Sequence, residues 1–241
     1  MKAALITGAS RGIGRSCAIE LAHSFDAIII NSYMHPEDLQ QTKELVEKQG
    51  VQCFSYRGDI GNYHFVKSMF TDIYSKNITI DLLVNNAGIS YIGLLTDMSI
   101  DDWNRILETN LTSVFNCCKE AVPQMVSNKS GHIINISSMW GLAGASCEVA
   151  YSTTKGGVNA FTKALAKELA PSNISVNALA CGTINTSMNS CFSDMDLKNL
   201  ENDIPVGRMG TCEEVAKMVR HIYESPAYLT GEVIRFDGGY L

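Results

Sequence analysis

The stretch Thr7-Gly8-Ala9-Ser10-Arg11-Gly12-Ile13-Gly14 follows the first short apolar run of the chain and directly precedes a segment of helical length. Glycines let a backbone turn sharply and approach a ligand closely, and the amino end of a helix favours phosphate charge. The spacing is G-x-x-x-G-x-G rather than G-x-G-x-x-G. Because the turn stands between a strand and a helix, it predicts a nucleotide-phosphate site rather than a tight turn made for steric reasons alone.

Short apolar runs alternate with amphipathic segments along the rest of the chain. Several runs lack polar alternation, which suits strands of a parallel sheet covered by helices on both faces. The predicted strands are Ala3–Ile6, Ala27–Asn31, Gln52–Tyr56, Ile80–Val84, His132–Ile136, Ile174–Ala178 and Val233–Phe236. Helices are expected to begin near Gly12, Pro36, Asn62, Asp101, Val149 and Thr211. This alternation predicts a doubly wound α/β fold of the Rossmann type.

The length of the chain bounds its domain organisation. Its 241 residues, 46% of them hydrophobic and 18% charged, suit one such domain without a separate substrate domain. We therefore expect a single nucleotide-binding domain over 1–241. Within it, the polar segment 185–205 is expected to form a mobile flap over the substrate or a pair of surface helices.

Charge and cysteine usage exclude several classes of protein. A net charge of −6 argues against a nucleic-acid partner, for which a basic surface is expected. No apolar run approaches the roughly 18 residues of a membrane span, and polar residues begin at Thr7, too early for a signal peptide. The eight cysteines form no C-x-x-C pair, so free thiols in a reducing cytoplasm are expected, and no metal site.

Tyr151 and Lys155 are four residues apart in a segment of helical length, so their side chains share one face. A tyrosine with its reference pKa near 10 is a proton donor at neutral pH, and a nearby ammonium favours the phenolate. Lowering the pKa of Tyr151 by roughly 3 units would take about 4 kcal/mol. The pair is therefore expected to exchange a proton with a carbonyl oxygen, with an ordinary pair on a surface helix as the alternative.

The glycine turn, the segment Asn85-Asn86-Ala87-Gly88 and the Tyr/Lys pair together resemble the short-chain dehydrogenase/reductase family. The resemblance extends to Thr230-Gly231 and to Asp237-Gly238-Gly239 near the end of the chain. It implies a seven-stranded parallel sheet, reduction of a ketone with a nicotinamide cofactor, and a homotetramer that pairs the long helices and the last strands. Within the family, the 3-oxoacyl-[acyl-carrier-protein] reductases of fatty acid biosynthesis are the nearest resemblance.

The resemblance implies a catalytic set of Asn110, Ser138, Tyr151 and Lys155. Ser138 stands 13 residues before Tyr151, the family's spacing for the serine that binds the substrate carbonyl, although Ser137 competes for the role. Asn110 is expected to bend its helix and to hold a water that connects Lys155 with solvent. A buried polar contact is the alternative for Asn110, because a mid-helix asparagine is unfavourable without some compensation.

The resemblance also implies which residues bind the cofactor. In the glycine turn these are Gly8, Ser10, Arg11, Gly12, Ile13 and Gly14, and elsewhere Asn31, Ser32, Asp59, Ile60, Asn86, Ala87, Gly88, Tyr151, Lys155, Ile184 and Thr186. Asp59 and Ile60 are expected at the adenine, with an alternative role for Asp59 as the cap of the following helix. Ile184 and Thr186 are expected at the nicotinamide carboxamide.

The end of the second predicted strand bears on the choice between NAD and NADP. Asn31-Ser32-Tyr33 contains no carboxylate to hydrogen-bond the 2′-hydroxyl of NAD or to repel a 2′-phosphate. Arg11 supplies a cation there, and Ser10, Asn31 and Ser32 supply hydrogen-bond donors. We therefore expect NADPH, with His35 as the nearby candidate for a second basic group.

The substrate is less constrained by the sequence. The net charge gives no long-range attraction to an acidic carrier protein. The stretch before Tyr151, residues 144–149, departs from the Gly-Gln-Ala-Asn pattern of the carrier-protein reductases. It resembles instead a branch that reduces a 5-aminopentanone modification on translation elongation factor P, where Glu148 would meet an amine or simply stand at a helix N-terminus.

The sequence also bears on the role of Cys181 and on whether the protein is a catalyst. Cys181 stands where the family usually has proline, and we interpret it as a packing residue rather than a redox group. A protein that senses NADP(H) without catalysis is the alternative of another class. Such a regulator usually lacks the tyrosine or the lysine, whereas this chain keeps both.

Overall fold

A computed structural model describes residues 1–189 and 193–241, without the side chains of residues 189 and 194. The strands are β1 (Lys2–Ile6), β2 (Ala27–Ser32), β3 (Gln52–Arg57), β4 (Thr79–Asn85), β5 (Gly131–Ser138), β6 (Ile174–Cys181) and β7 (Val233–Phe236). They form one seven-stranded parallel sheet in the order β3-β2-β1-β4-β5-β6-β7. The predicted α/β fold is confirmed.

Helices connect the strands and cover both faces of the sheet. They are α1 (Gly12–Glu20), α2 (Pro36–Glu47), α3 (Tyr63–Ser75), α4 (Ile100–Leu107), α5 (Ser113–Asn128), α6 (Trp140–Ala143), α7 (Val149–Leu169), α8 (Asp194–Asp203) and α9 (Cys212–Glu224). A π-helical turn, Glu108–Thr112, joins α4 to α5. In the described part of the chain, no helix is both long and apolar enough to cross a membrane.

The core lies in two layers because side chains alternate between the faces of each strand. In β1, Ala4 and Ile6 pack with α1, α2 and α9, whereas Ala3 and Leu5 pack with α3, α5 and α7. All four side chains are fully buried. Covering both faces explains why the strands read as continuous apolar runs.

Five strands extend beyond the apolar runs into polar or small residues at their carboxyl ends. The added ends reach Ser32, Arg57, Asn85, Ser138 and Cys181. The parallel ladder continues through most of these residues, since Ser32 pairs with Arg57 and Ser138 pairs with Cys181. Strand pairing thereby fixes these polar groups at the carboxyl edge of the sheet.

The polar segment 185–205 contains α8, whose first turn is fixed by a reciprocal capping box between Ser193 and Asp196. Residues 190–192 lie outside the described residues. A surface helix is therefore present, and the mobile substrate flap stays a prediction.

Thr7 ties the end of β1 to the loop after β4. Its buried hydroxyl accepts hydrogen bonds from the backbone N–H groups of Asn86 (3.0 Å) and Ala87 (3.1 Å). The Asn86 side chain donates in return to the carbonyl oxygens of Thr7 (2.8 Å) and Gly8 (3.1 Å). Strand order reverses between these two strands, where open α/β sheets bind their ligands.

Replacing Thr7 by valine keeps the shape of the side chain and removes the acceptor of two backbone N–H groups. We expect Thr7→Val to lower the free energy of unfolding by about 2 kcal/mol, because unpaired buried donors are costly. Thr71→Val on the exposed face of α3 is the matched control and should change it by about 0.5 kcal/mol or less. Urea denaturation measures both, and equal effects of the two substitutions would contradict the assignment.

Candidate active site

The glycine turn is packed closely against the β4 loop. Gly8 has φ of +64°, and a Cβ there would lie 2.7 Å from the Ala87 Cα. A Cβ at Gly14 would lie 2.5 Å from the Gly8 carbonyl oxygen. Neither position has room for a side chain, so the turn and the loop approach one another backbone to backbone.

The amino end of α1 lies in this turn with its first N–H groups uncapped by any side chain of the described residues. Arg11, at the N-cap position, makes no capping hydrogen bond, and the first turn of the helix contains no acidic residue. Free backbone donors and the positive end of a helix dipole suit a pyrophosphate. The residues present therefore fit a dinucleotide.

Asn110 occupies the π-helical turn between α4 and α5 and is almost fully buried. Its Oδ1 accepts from the Ile89 N–H, and its Nδ2 donates to the Ile89 carbonyl, each at 2.8 Å. The same Nδ2 lies 3.2 Å from the Thr154 hydroxyl on α7. The side chain thus joins the loop after β4 to the helix that carries Tyr151.

Lys155 is buried, and its Nζ donates to the Ile136 carbonyl of β5 at 2.8 Å. Removal from water lowers the pKa of its ammonium to about 8, although the neighbouring Cys181 opposes the shift. Its Nζ lies 5.6 Å from the centre of the Tyr151 ring. A Cβ added at Gly88 would be 3.6 Å from Nζ and 3.4 Å from the Asn110 Oδ1, so these groups face one small space.

Tyr151 lies close enough to Ser138 for the serine hydroxyl to influence its ionisation. Burial raises the pKa of the Tyr151 hydroxyl above its ordinary value, the Ser138 hydrogen bond lowers it in part, and the charge of Glu148 raises it further. The expected lowering of this pKa by Lys155 is not found, because burial is the largest influence on it and Lys155 is not among the others. Tyr151 remains a proton donor at neutral pH.

The two serines at the end of β5 point to different surroundings. The Ser137 hydroxyl donates to the Asn159 Oδ1 of α7 at 2.6 Å and is used within the core. The Ser138 hydroxyl accepts the Trp140 N–H at 3.1 Å and meets Tyr151. Of the two serines, Ser138 is the one that interacts with Tyr151.

On the opposite side of the glycine turn, the buried hydroxyls of Ser10 and Ser32 lie 3.2 Å apart. The neighbouring Asn31 donates both amide hydrogens to carbonyl oxygens of the β3 region, at Tyr56 (3.1 Å) and Gly58 (3.0 Å). Asn31 thus fastens β2 to β3 and has no donor left for a phosphate. Arg11 is exposed.

Asp59 and Ile60 follow β3, as expected for an adenine-binding corner. The Asp59 Oδ1 accepts the Gly61 N–H at 2.8 Å, and Ile60 is buried. The alternative that Asp59 caps α3 is wrong, because the Asn62 side chain accepts the first free N–H groups of that helix. One oxygen of Asp59 is engaged in a local turn.

The segment after β6 closes the other end of the site. Ile184 is buried and bridges to Gly210, and Thr186 lies 3.7 Å from the place of a Cβ at Gly12. Burial raises the pKa of the Cys181 thiol to about 12, in agreement with a packing residue rather than a reactive one. Gly182 is required, since a Cβ there would be 2.7 Å from the Asp237 Cα.

Comparison with known proteins decides the family. The model of the short chain dehydrogenase family matches residues 2–196. The chain belongs to this family. It is therefore an oxidoreductase of CH–OH and C=O groups, and the family uses a nicotinamide cofactor.

Curated relatives of this short-chain dehydrogenase match almost the whole chain. It is 40% identical to the 3-oxoacyl-[acyl-carrier-protein] reductase FabG of Aquifex aeolicus, over 99% of this chain and 96% of that protein. It is 38% identical to the FabG of Staphylococcus aureus strain Mu50, over 99% and 97%. A putative gluconate dehydrogenase from Agrobacterium tumefaciens has a similar structure, with a TM-score of 0.93, 30% identity and coverage of 99% and 95%.

One charged residue of this short-chain dehydrogenase was missed in the sequence. Arg57, the last residue of β3, lies directly opposite Ser32 on β2. The pairing of the second and third strands in a doubly wound sheet is the signal that could have found it. His35, the candidate suggested by sequence distance, instead stands before α2 with φ of +59°.

The two serines can be separated by substitution. Ser138→Ala is expected to lower kcat for ketone reduction about 100-fold, the usual cost of losing a hydrogen bond to a developing oxyanion. Ser137→Ala should leave kcat near wild type while lowering the free energy of unfolding by about 1 kcal/mol, because the Asn159 Oδ1 loses its donor. Steady-state kinetics and thermal unfolding distinguish them, and the reverse pattern would exchange their roles.

Proposed function

We propose that this short-chain dehydrogenase is an NADPH-dependent ketone reductase and that its substrate is a 3-oxoacyl chain on acyl carrier protein. The observation that carries the reaction is the placement of Tyr151, which interacts with Ser138 and has its ring centre 5.6 Å from the Nζ of Lys155. The substrate proposal draws on the FabG relatives, which match this chain over nearly its full length.

The residues of the site have separate roles in the proposed reduction. A bound nicotinamide would supply the hydride to the carbonyl carbon. Ser138 donates a hydrogen bond to the carbonyl oxygen, and Tyr151 gives that oxygen its proton, so that a ketone becomes a secondary alcohol. Lys155 lies close enough to stabilise the resulting phenolate by its charge. Asn110 positions the loop and helix around them.

The uncapped amino end of α1 and the glycine turn would hold the pyrophosphate. The adenine ribose would lie beside Asn86, Ala87 and Gly88. The adenine would be bound by Asp59 and Ile60. The carboxamide would be bound by Ile184 and Thr186. NADPH is favoured over NADH because Asn31-Ser32-Tyr33 contains no carboxylate and Arg11 is exposed in the turn.

Two proposals concern the molecule as a whole. We propose a single domain over 1–241. By analogy with the family, we also propose a homotetramer in which the α4–α5 and α7 helices and the last strands pair. Large apolar side chains exposed on α5, Phe115 (49% exposed) and Val126 (39%), support a contact there.

The test of the reaction is Tyr151→Phe, assayed with NADPH and an acetoacetyl thioester. We expect kcat to fall at least about 100-fold, since the proton donor is lost. Tyr228→Phe, a change at a fully exposed tyrosine, is the matched control and should leave kcat unchanged. Full turnover by Tyr151→Phe would exclude this mechanism. Binding of NADPH by wild-type protein without turnover of any activated ketone would favour the sensing role.

Glu148 favours a second candidate substrate. It stands at the N-cap position of α7 without capping the helix, and its half-buried carboxylate has no hydrogen-bond or ion-pair partner among the described residues. Burial raises the pKa of this carboxyl, and its charge acts on Tyr151. An unpaired, partly desolvated carboxylate at the catalytic tyrosine suits an amine on the substrate, as in the 5-aminopentanone group proposed on elongation factor P.

Substitution at Glu148 discriminates between the two substrates. If the substrate carries an amine, Glu148→Gln should lower kcat/KM for a 5-aminopentanone-bearing protein about tenfold or more, because a charged hydrogen bond is lost. The same change should leave or improve kcat/KM for a 3-oxoacyl thioester, which has no cation to pair. Parallel assays with NADPH measure both, and an equal loss on both substrates would show that Glu148 is a structural residue.

A further inference from the structure

The carboxyl ends of β2 and β3 bring a second guanidinium to the Ser10–Ser32 hydroxyl pair. Arg57 is in register with Ser32. Neighbouring strands lie about 4.8 Å apart, and paired side chains stand on the same face of the sheet. Arg11 follows Ser10 directly in the glycine turn. The two arginines therefore lie next to the same pair of buried hydroxyls, one along the turn and one across the strand pairing.

Arg11 and Arg57 differ from every other arginine in the chain. Within 1–189 and 193–241, both are exposed and neither forms an ion pair. The remaining arginines are each paired with a carboxylate: Arg15, Arg105, Arg208, Arg220 and Arg235. In a chain of net charge −6, two unpaired guanidinium groups at one corner are available to an anion.

Two acidic groups near this corner already have partners of their own. Asp38 pairs with Arg15 at 3.5 Å, and Arg15 also donates from Nε to the Ser10 carbonyl at 3.0 Å. Asp59 uses one carboxylate oxygen to accept the Gly61 N–H. Asn31, where a carboxylate would repel a phosphate, is a neutral amide engaged with the β3 region.

We propose that Arg57 is a specificity-determining residue that binds the 2′-phosphate of NADPH together with Arg11. A guanidinium presents a planar fork of donors that matches phosphate oxygens, and it keeps its charge at every physiological pH. The inference rests on the proposed NADPH dependence and extends it to a residue on the third strand.

Equilibrium binding tests this role without turnover. NADPH, NADH and adenosine 2′,5′-bisphosphate are titrated into wild type, Arg57→Gln, Arg57→Lys and Lys48→Gln, with fluorescence and calorimetry as readouts. Lys48 follows α2 at the opposite end of the sheet, is exposed and has no ion pair in the described ranges, so it controls for loss of one charge.

Arg57→Gln should weaken NADPH and the bisphosphate about tenfold or more and leave NADH unchanged, because the lost interaction is with the 2′-phosphate alone. Arg57→Lys should recover part of the affinity. Lys48→Gln should show none of the loss. If Arg57→Gln keeps the wild-type preference for NADPH, the role of Arg57 is overturned and the cofactor assignment stands. An equal loss of affinity for NADH also overturns the role of Arg57, since the substitution then affects folding or adenine binding. Equal wild-type affinity for NADPH and NADH overturns the cofactor assignment itself.

Discussion

The approach of the glycine turn to the β4 loop is the constraint on which the rest of the site depends. Backbone meets backbone at Gly8 and Ala87, where no Cβ fits on the glycine. Thr7 and Asn86 then hold the two segments with reciprocal hydrogen bonds. Because strand order reverses at this place, the contact lies where a dinucleotide would bind.

Burial affects the protonation of the two groups proposed to act in the reaction. Desolvation lowers the pKa of Lys155 to about 8 and raises that of Tyr151, so both shifts favour the neutral form of each group. A tyrosine that keeps its proton is ready to donate it to a carbonyl, whereas alcohol oxidation needs the phenolate. The Ile136 carbonyl offsets part of the cost of burying the Lys155 ammonium.

The seven strands could be predicted because a sheet covered on both faces leaves uninterrupted apolar runs. Their carboxyl ends could not, since Ser32, Arg57 and Ser138 are polar and are held in the sheet by backbone pairing. Residue spacing and family resemblance brought out Tyr151, Lys155 and Ser138 because these repeat a known pattern. The pKa of Tyr151 depends on how much water the surrounding chain excludes, and spacing along a helix carries no information about that.

The net charge does not predict the ligands of this molecule, because the two ends of its site carry opposite charges. Among the described residues, Arg11 and Arg57 stand unpaired at the end where adenosine would lie, and Glu148 stands unpaired at the end near Tyr151. An anionic group is therefore favoured at one end and disfavoured at the other. The net charge of −6 describes the whole chain and does not show this difference. A carrier protein bearing acidic residues would have to dock away from Glu148, with only its uncharged acyl chain entering beside Tyr151. The field at the mouth of the site, rather than the fold, thus separates the two candidate substrates.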